Sequence, residues 1–208
     1  MDKLPKPHII TINNLRCIFV NLPCSNISSA GFFVKIGSAY EPSQYRGISH
    51  FLEHMLFKKV TNKLDELGIS YNAATSREHT YYECHGNSKQ TNEIIYLLFM
   101  IFTQGLFDEK DVNSERKVIF EEMNGDKMSF KKQLYESTFK HVFENKNENY
   151  GLPIIGTTET LNSMNAKVLK EFLSTVRSHK QKHDAKHLPP DSKGALGYLL
   201  EAKQKVRA

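Results

Sequence analysis

Cysteine is scarce in this chain of 208 residues. Cys17, Cys24 and Cys84 are odd in number, scattered, and form no Cys-x-x-Cys. That argues against a disulfide framework and against a thiolate zinc site, and it reads as a reducing, cytoplasmic setting. Long apolar runs are missing too. No stretch of about 18 uncharged apolar residues occurs, so neither a transmembrane helix nor a membrane partner is expected. The longest apolar stretch, residues 94–102, has the length of a buried helix. The N-terminus shows no apolar leader core and no Arg-rich amphipathic segment, so no secretory signal or mitochondrial presequence is visible. Excess charge is nearly absent from the body of the chain. The formal net charge is +5, and residues 178–208, with seven Lys/Arg against three Asp/Glu, carry +4 of it. A basic stripe interleaved with aromatics is lacking, because that tail has only Tyr198, so nucleic acid is not an expected partner.

What remains is a chain long enough for one sizeable core. Residues 8–11 and 16–21 read as strands joined by a turn at Asn13-Asn14, and residues 29–36 as a third strand. Residues 37–42 read as a loop, and a helix is expected from Gly47 to Phe57. A short helix over 62–67 should stop at Gly68. Strands are expected at 69–74 and 79–85. Ser88 is expected to cap a helix running to Thr103, and Asp108 to open another with acidic residues in its first turn. Residues 131–144 have helical composition, 145–156 read as loop, and Thr160 or Asn162 would cap a last helix ending near Arg177. Strands and helices mix without a βαβ repeat. The expected class is α+β, an antiparallel or mixed sheet with helices mainly on one face, as a single domain over 1–177 followed by a basic tail, 178–208. His179, His183 and His187 recur every four residues, but Pro189-Pro190 and the nearby charges make them read as solvated tail.

The most informative residues are His50-Phe51-Leu52-Glu53-His54. On a helix the two imidazoles, four apart, stand on one face and can share a Zn²⁺. Glu53 points to nearly the same side and could move a proton instead of binding the metal. The order is the reverse of His-Glu-x-x-His and fits the inverzincin pattern. A third ligand must come from elsewhere. Glu115 and Glu122 are seven residues apart, close to two helical turns, and share a face, whereas Glu121 is rotated about 100° from Glu122. Val118 and Ile119 lie on the same broad stripe, which should press it against the core.

With these motifs together the chain resembles the pitrilysin/insulinase zinc peptidases, most closely the mitochondrial-processing-peptidase-like branch. The resemblance runs from Ile9 to about Val176. It includes Gly37-Ser38-Ala39-Tyr40-Glu41, Gly47 through Lys58, Asn72-Ala73-Ala74-Thr75-Ser76-Arg77-Glu78-His79-Thr80, and Glu115-Arg116 with Glu122. It implies that His50, His54 and Glu122 bind one zinc per chain, that Glu53 is the general base, and that Glu115 orients a ligand histidine. It also implies that a peptide adds to the strand of Asn72, Ala73 and Ala74 as an extra strand. Two departures stand out. The stretch between His54 and Asn72 is shorter than usual for the family, and past Val176 no apolar strand and no second homologous half follows. The expected activity is zinc-dependent endopeptidase action on extended peptides, with a separate homologous half or a second copy of the chain as partner. The alternative is a truncated, inactive homologue that serves as a zinc-binding or assembly subunit.

Overall fold

The computed structural model describes residues 5–12, 15–103, 107–144 and 148–183. Among the described residues five strands and eight α-helices follow one another: β1 His8–Ile12, β2 Leu15–Phe19, β3 Ile27–Val34, α1 Ile48–Phe57, α2 Thr61–Glu66, β4 Ser70–Thr75, β5 Thr80–Asn87, α3 Thr91–Thr103, α4 Glu109–Met128, α5 Phe130–Phe143, α6 Glu148–Gly151, α7 Thr158–Ser163 and α8 Ala166–His183. Strands β1 and β2 form their own antiparallel hairpin, while β3, β5 and β4 form a three-stranded antiparallel sheet in that order. The class is therefore α+β, as expected. The Asn13-Asn14 turn lies outside the described residues, as does everything after His183.

The period of two along the strands decides which face is covered. On β3, Ala30, Phe32 and Val34 pack against the core, while Ile27, Ser29, Gly31 and Phe33 are exposed. On β5, Thr80, Tyr82 and Cys84 are buried. Helices α1 and α3 cover this face. Phe32 and Tyr82 both meet Phe102 of α3, with centroids 4.2 and 5.0 Å apart, and Phe57 of α1 lies 5.8 Å from Tyr82. The apolar stretch at 94–102 is core, with Ile94 and Ile101 almost fully enclosed. The opposite face of the sheet is open, and there Phe33 stacks on Tyr81 at 5.7 Å.

Helix α1 lies at the centre of the molecule. Nine of its ten residues are buried. Its apolar members Phe51, Met55 and Leu56 each remove enough surface from water to contribute about 1.5–3 kcal/mol. No side chain within the helix caps its start. Instead the oxygens of the buried Glu41 carboxyl group accept from the backbone N–H groups of Gly47 and Ser49, both at 2.8 Å. Those N–H groups would otherwise be orphaned at a buried helix end. Gly47 itself sits at φ 89, a left-handed conformation that favours glycine.

Several boundaries differ from the sequence reading. Residues 37–42 are not a plain loop, since Ser38–Tyr40 and Ser43–Tyr45 form 3₁₀ turns. Asn87, not Ser88, starts the α3 region. Its side chain accepts from Lys89, Gln90 reaches back to its N–H, and a 3₁₀ turn over Ser88–Gln90 intervenes. Neither Thr160 nor Asn162 caps the last helix. Thr157 caps the short α7, and Asn165 accepts from the Val168 N–H at the start of α8. That last helix runs on past Arg177 to His183. Part of the 145–156 loop is the helical turn α6.

Candidate metal centre and cleft

Two helices bring the site together. The first two turns of α1 present His50, Glu53 and His54, and the middle of α4 presents Glu115 and Glu122. The face of α4 between them is held down by Ile119 and Met123, both buried. Val118 is not part of that apolar contact and is 46% exposed, contrary to expectation. It stands at the solvent edge of the stripe, whereas the core contact falls on Val112, Ile119 and Met123.

His50 Nε2 and His54 Nε2 each lie 3.5 Å from Glu122 Oε2. Ligand atoms of His50, His54 and Glu122 all fall within 4.8 Å of one another. Two imidazole nitrogens and one carboxylate oxygen converging on one point could hold a divalent cation, and nitrogen and oxygen donors of this kind suit zinc. The other nitrogen of His54 supports this. His54 Nδ1 lies 3.0 Å from Glu115 Oε1, and a carboxylate can only accept, so Nδ1 carries a proton, and Nε2 is the nitrogen that gives up its proton to take a metal. His50 has no such support, because among the described residues its buried Nδ1 has no hydrogen-bond partner.

The electrostatics differ between the two rings. Burial, helped by the neighbouring His54, lowers the pKa of His50 to about 4, so its ring stays neutral at physiological pH. Burial also opposes charge on His54, but the Glu115 and Glu122 carboxylates, with Glu53, outweigh it and raise its pKa to about 9. Glu122 is held below the usual carboxylate range by its bond to His54, as is Glu115. In the metal-free protein, His54 is therefore the positive charge that these acids share.

Glu53 is buried, and burial raises its pKa, partly offset by a hydrogen bond from Thr75. Thr75 Oγ1 donates to Glu53 Oε2 at 2.6 Å. Sequence reasoning stopped at Ala74 and missed Thr75. A threonine at a strand end carries no local sign of the carboxylate it will meet 22 residues away.

A broad cleft opens over these groups, between the β4 edge on one side and α4, α5 and residues 153–159 on the others. Ala73 and Ala74 line it, as expected of a small-residue edge. Asn72 does not. It is exposed, and its Nδ2 donates to Glu83 Oε1 at 3.3 Å. The wall made by α5 is fastened to the β4–β5 turn by Arg77, another residue the sequence did not single out. Its guanidinium donates to Glu136 at 2.9 Å and to the Tyr150 carbonyl at 2.7 Å, and it lies 3.7 Å over the Phe139 ring. The far wall, residues 153–159, meets the start of α1 where Gly47 and Gly156 touch. A Cβ on Gly156 would fall 2.3 Å from the Arg46 carbonyl oxygen and 3.0 Å from Gly47 Cα.

An open antiparallel sheet backed by helices, with two imidazoles and a distant carboxylate converging beside its edge strand, defines a class of domain that comparison with known proteins then specifies. The fold is shared with a protease from Helicobacter pylori, with a TM-score of 0.73 over 84% of this chain and 44% of that one, at 24% identity. Residues 16–158 match the insulinase model (Peptidase family M16), and this chain belongs to that family. It is 31% identical over 175 residues to an uncharacterized zinc protease of Rickettsia felis, covering 80% of this chain and 41% of that protein. It is 32% identical over 155 residues to the mitochondrial-processing peptidase subunit beta of Bos taurus, covering 71% of this chain and 31% of that protein. The chain thus spans well under half the length of these relatives.

Proposed function

We propose that this chain is the metal-bearing half of a zinc-dependent endopeptidase that cleaves extended peptides. The observation that carries this reading is the convergence of His50, His54 and Glu122 with Glu53 beside them. The fit of the donors to zinc and the family's zinc proteases support one ion per chain, held by those three residues. Zinc, when bound, supplies Lewis acidity that polarises the scissile carbonyl and makes water nucleophilic near neutral pH. The rest is the work of the chain. Glu115 fixes the tautomer of His54. Glu53 takes a proton from the attacking water and passes it to the leaving amine, a task suited to a carboxylate whose pKa burial has raised. The outer edge of β4, which no strand among the described residues pairs, offers backbone donors and acceptors to a peptide lying along Ala73 and Ala74.

The length of the relatives supports a partner: a separate homologous half or a second copy of the chain closes the cleft and excludes water, which strengthens the electrostatics there. The same length supports a second reading, a zinc-binding or assembly subunit without turnover. The test is metal content together with cleavage of a long unstructured peptide. Chelator-sensitive cleavage, with zinc lost in His54→Ala and Glu122→Gln but kept in an inactive Glu53→Gln, is the expected result. Zinc at one per chain without turnover in any assembly selects the subunit reading. Loss of zinc in Glu53→Gln overturns the role given to Glu53.

A further inference from the structure

We infer that Thr75 is a positioning residue that locks the Glu53 carboxylate, leaving one oxygen anchored and the other available for proton transfer. The inference rests on the peptidase reading for its purpose, though not for its geometry. Thr75 is the last residue of β4 and pairs with Thr80 of β5. Its hydroxyl must be the donor in the 2.6 Å contact to Glu53 Oε2, because an ionised carboxylate only accepts. Among the described residues no other hydrogen bond reaches that carboxylate, so Oε1 is left unclaimed. The anchor is itself anchored. Thr80 Oγ1, 5% exposed, donates to the Ile36 carbonyl at 2.9 Å and lies 3.5 Å from Thr75 Oγ1.

Side-chain mechanics explain why this matters. The terminal torsion of a glutamate is broad, with no sharp staggered wells, so an unattached carboxylate swings. A β-branched threonine is stiff at χ1, and on a paired strand its hydroxyl direction is set by the backbone. Glu53 therefore takes its orientation from the sheet, not from its own helix. The strand that supplies it is the edge strand lining the cleft, so peptide docking and proton transfer share one piece of backbone. This contact also assigns a reason for threonine, not valine, at position 75.

The test is a double-mutant cycle on the metal-free protein with Thr75→Val, Glu53→Ala and the double variant, read by denaturant unfolding. The two substitutions are expected to be non-additive by about tenfold in the unfolding equilibrium constant, as suits a hydrogen bond to a charged group. Additive effects overturn the inference. Should the valine variant not fold, Thr75→Ala takes its place in the cycle. In whichever assembly the wild type cleaves peptide, Thr75→Val should lower kcat by roughly 10- to 100-fold with KM and zinc content unchanged. Thr75→Ser should recover wild-type kcat to within about threefold. An unchanged kcat in Thr75→Val also overturns it. A wild type that cleaves nothing overturns the peptidase reading instead, and the cycle still decides the role of Thr75.

Discussion

Glu115 stands between His54 and Lys58, with one oxygen 3.0 Å from the imidazole Nδ1 and the other 3.1 Å from the ammonium. Both partners lie on or just beyond α1, one turn apart, so a single carboxylate from α4 ties down the last turn of the helix that carries the imidazoles. Its carboxyl is held below the usual range first by the bond to His54, and Lys58 adds to that. Replacing Glu115 with Gln keeps the shape but weakens the acceptor and permits the wrong tautomer of His54. Zinc affinity should fall by about 10- to 100-fold while the fold survives. Competition with a chromogenic chelator measures it, and unchanged affinity would show that Glu115 is only structural.

Glu41 gives a pH dependence with a definite sign. Burial raises its pKa from 4.5 to about 7, against the opposing bonds from Gly47 and Ser49. The folded protein therefore holds a proton there that the unfolded chain has released. The stability associated with Glu41 is full below pH 4.5 and is lost as pH rises toward 7. Relative to Glu41→Gln, the wild type should lose up to about 3 kcal/mol across that window. Denaturant unfolding at several pH values checks it. Parallel curves for the two proteins would contradict the assignment.

Arg77 should be among the costliest single positions outside the core. Removing it leaves Glu136 half-buried without its cation, the Tyr150 carbonyl without its donor, and the Phe139 ring uncovered. Arg77→Met, which keeps an apolar stem, should cost about 2–4 kcal/mol by denaturant unfolding. A loss below about 0.5 kcal/mol would place the pair with weak surface ion pairs.

Gly156 and Gly68 make a matched comparison. Both have positive φ, 83 and 64. A Cβ on Gly68 meets nothing within 4 Å, whereas one on Gly156 strikes the Arg46 backbone. Gly68→Ala should cost about 1–2 kcal/mol, the left-handed penalty alone. Gly156→Ala should cost at least about 2 kcal/mol more than that, or prevent folding. Thermal unfolding of the two variants side by side decides it.

The candidate metal centre was legible because its logic is local. Four-residue spacing puts His50 and His54 on one face, and seven-residue spacing does the same for Glu115 and Glu122, whatever the tertiary fold. Val118 neighbours Glu115 and Glu122 on α4, but spacing could not say where the apolar contact ends, so Val118 was assigned to the core, whereas the buried members are Val112, Ile119 and Met123. The helix starts were misplaced for a different reason. Asn87 and Gln90 form a capping box, but an intervening 3₁₀ turn shifts the α-helix beyond it, and Ser88 looks like an equally good cap on residue type alone. Thr75 and Arg77 were missed because their partners, Glu53 and Glu136, are distant in sequence, and nothing in a hydroxyl or a guanidinium announces such a partner. Asn72 was assigned to the cleft with its two alanine neighbours. Its side chain reaches across the sheet to Glu83 instead, a partner that neighbours along one strand do not reveal.

The touching glycines at 47 and 156 decide which way the cleft can breathe. One bank, residues 153–159, is riveted to the root of the helix bearing the imidazoles, so a bulky occupant pressing there would tilt His50 and His54 with it. The opposite bank, α5, is joined through Arg77 to the β4–β5 turn and not to that root, so pressure there bears on the sheet edge before it reaches the ligand nitrogens.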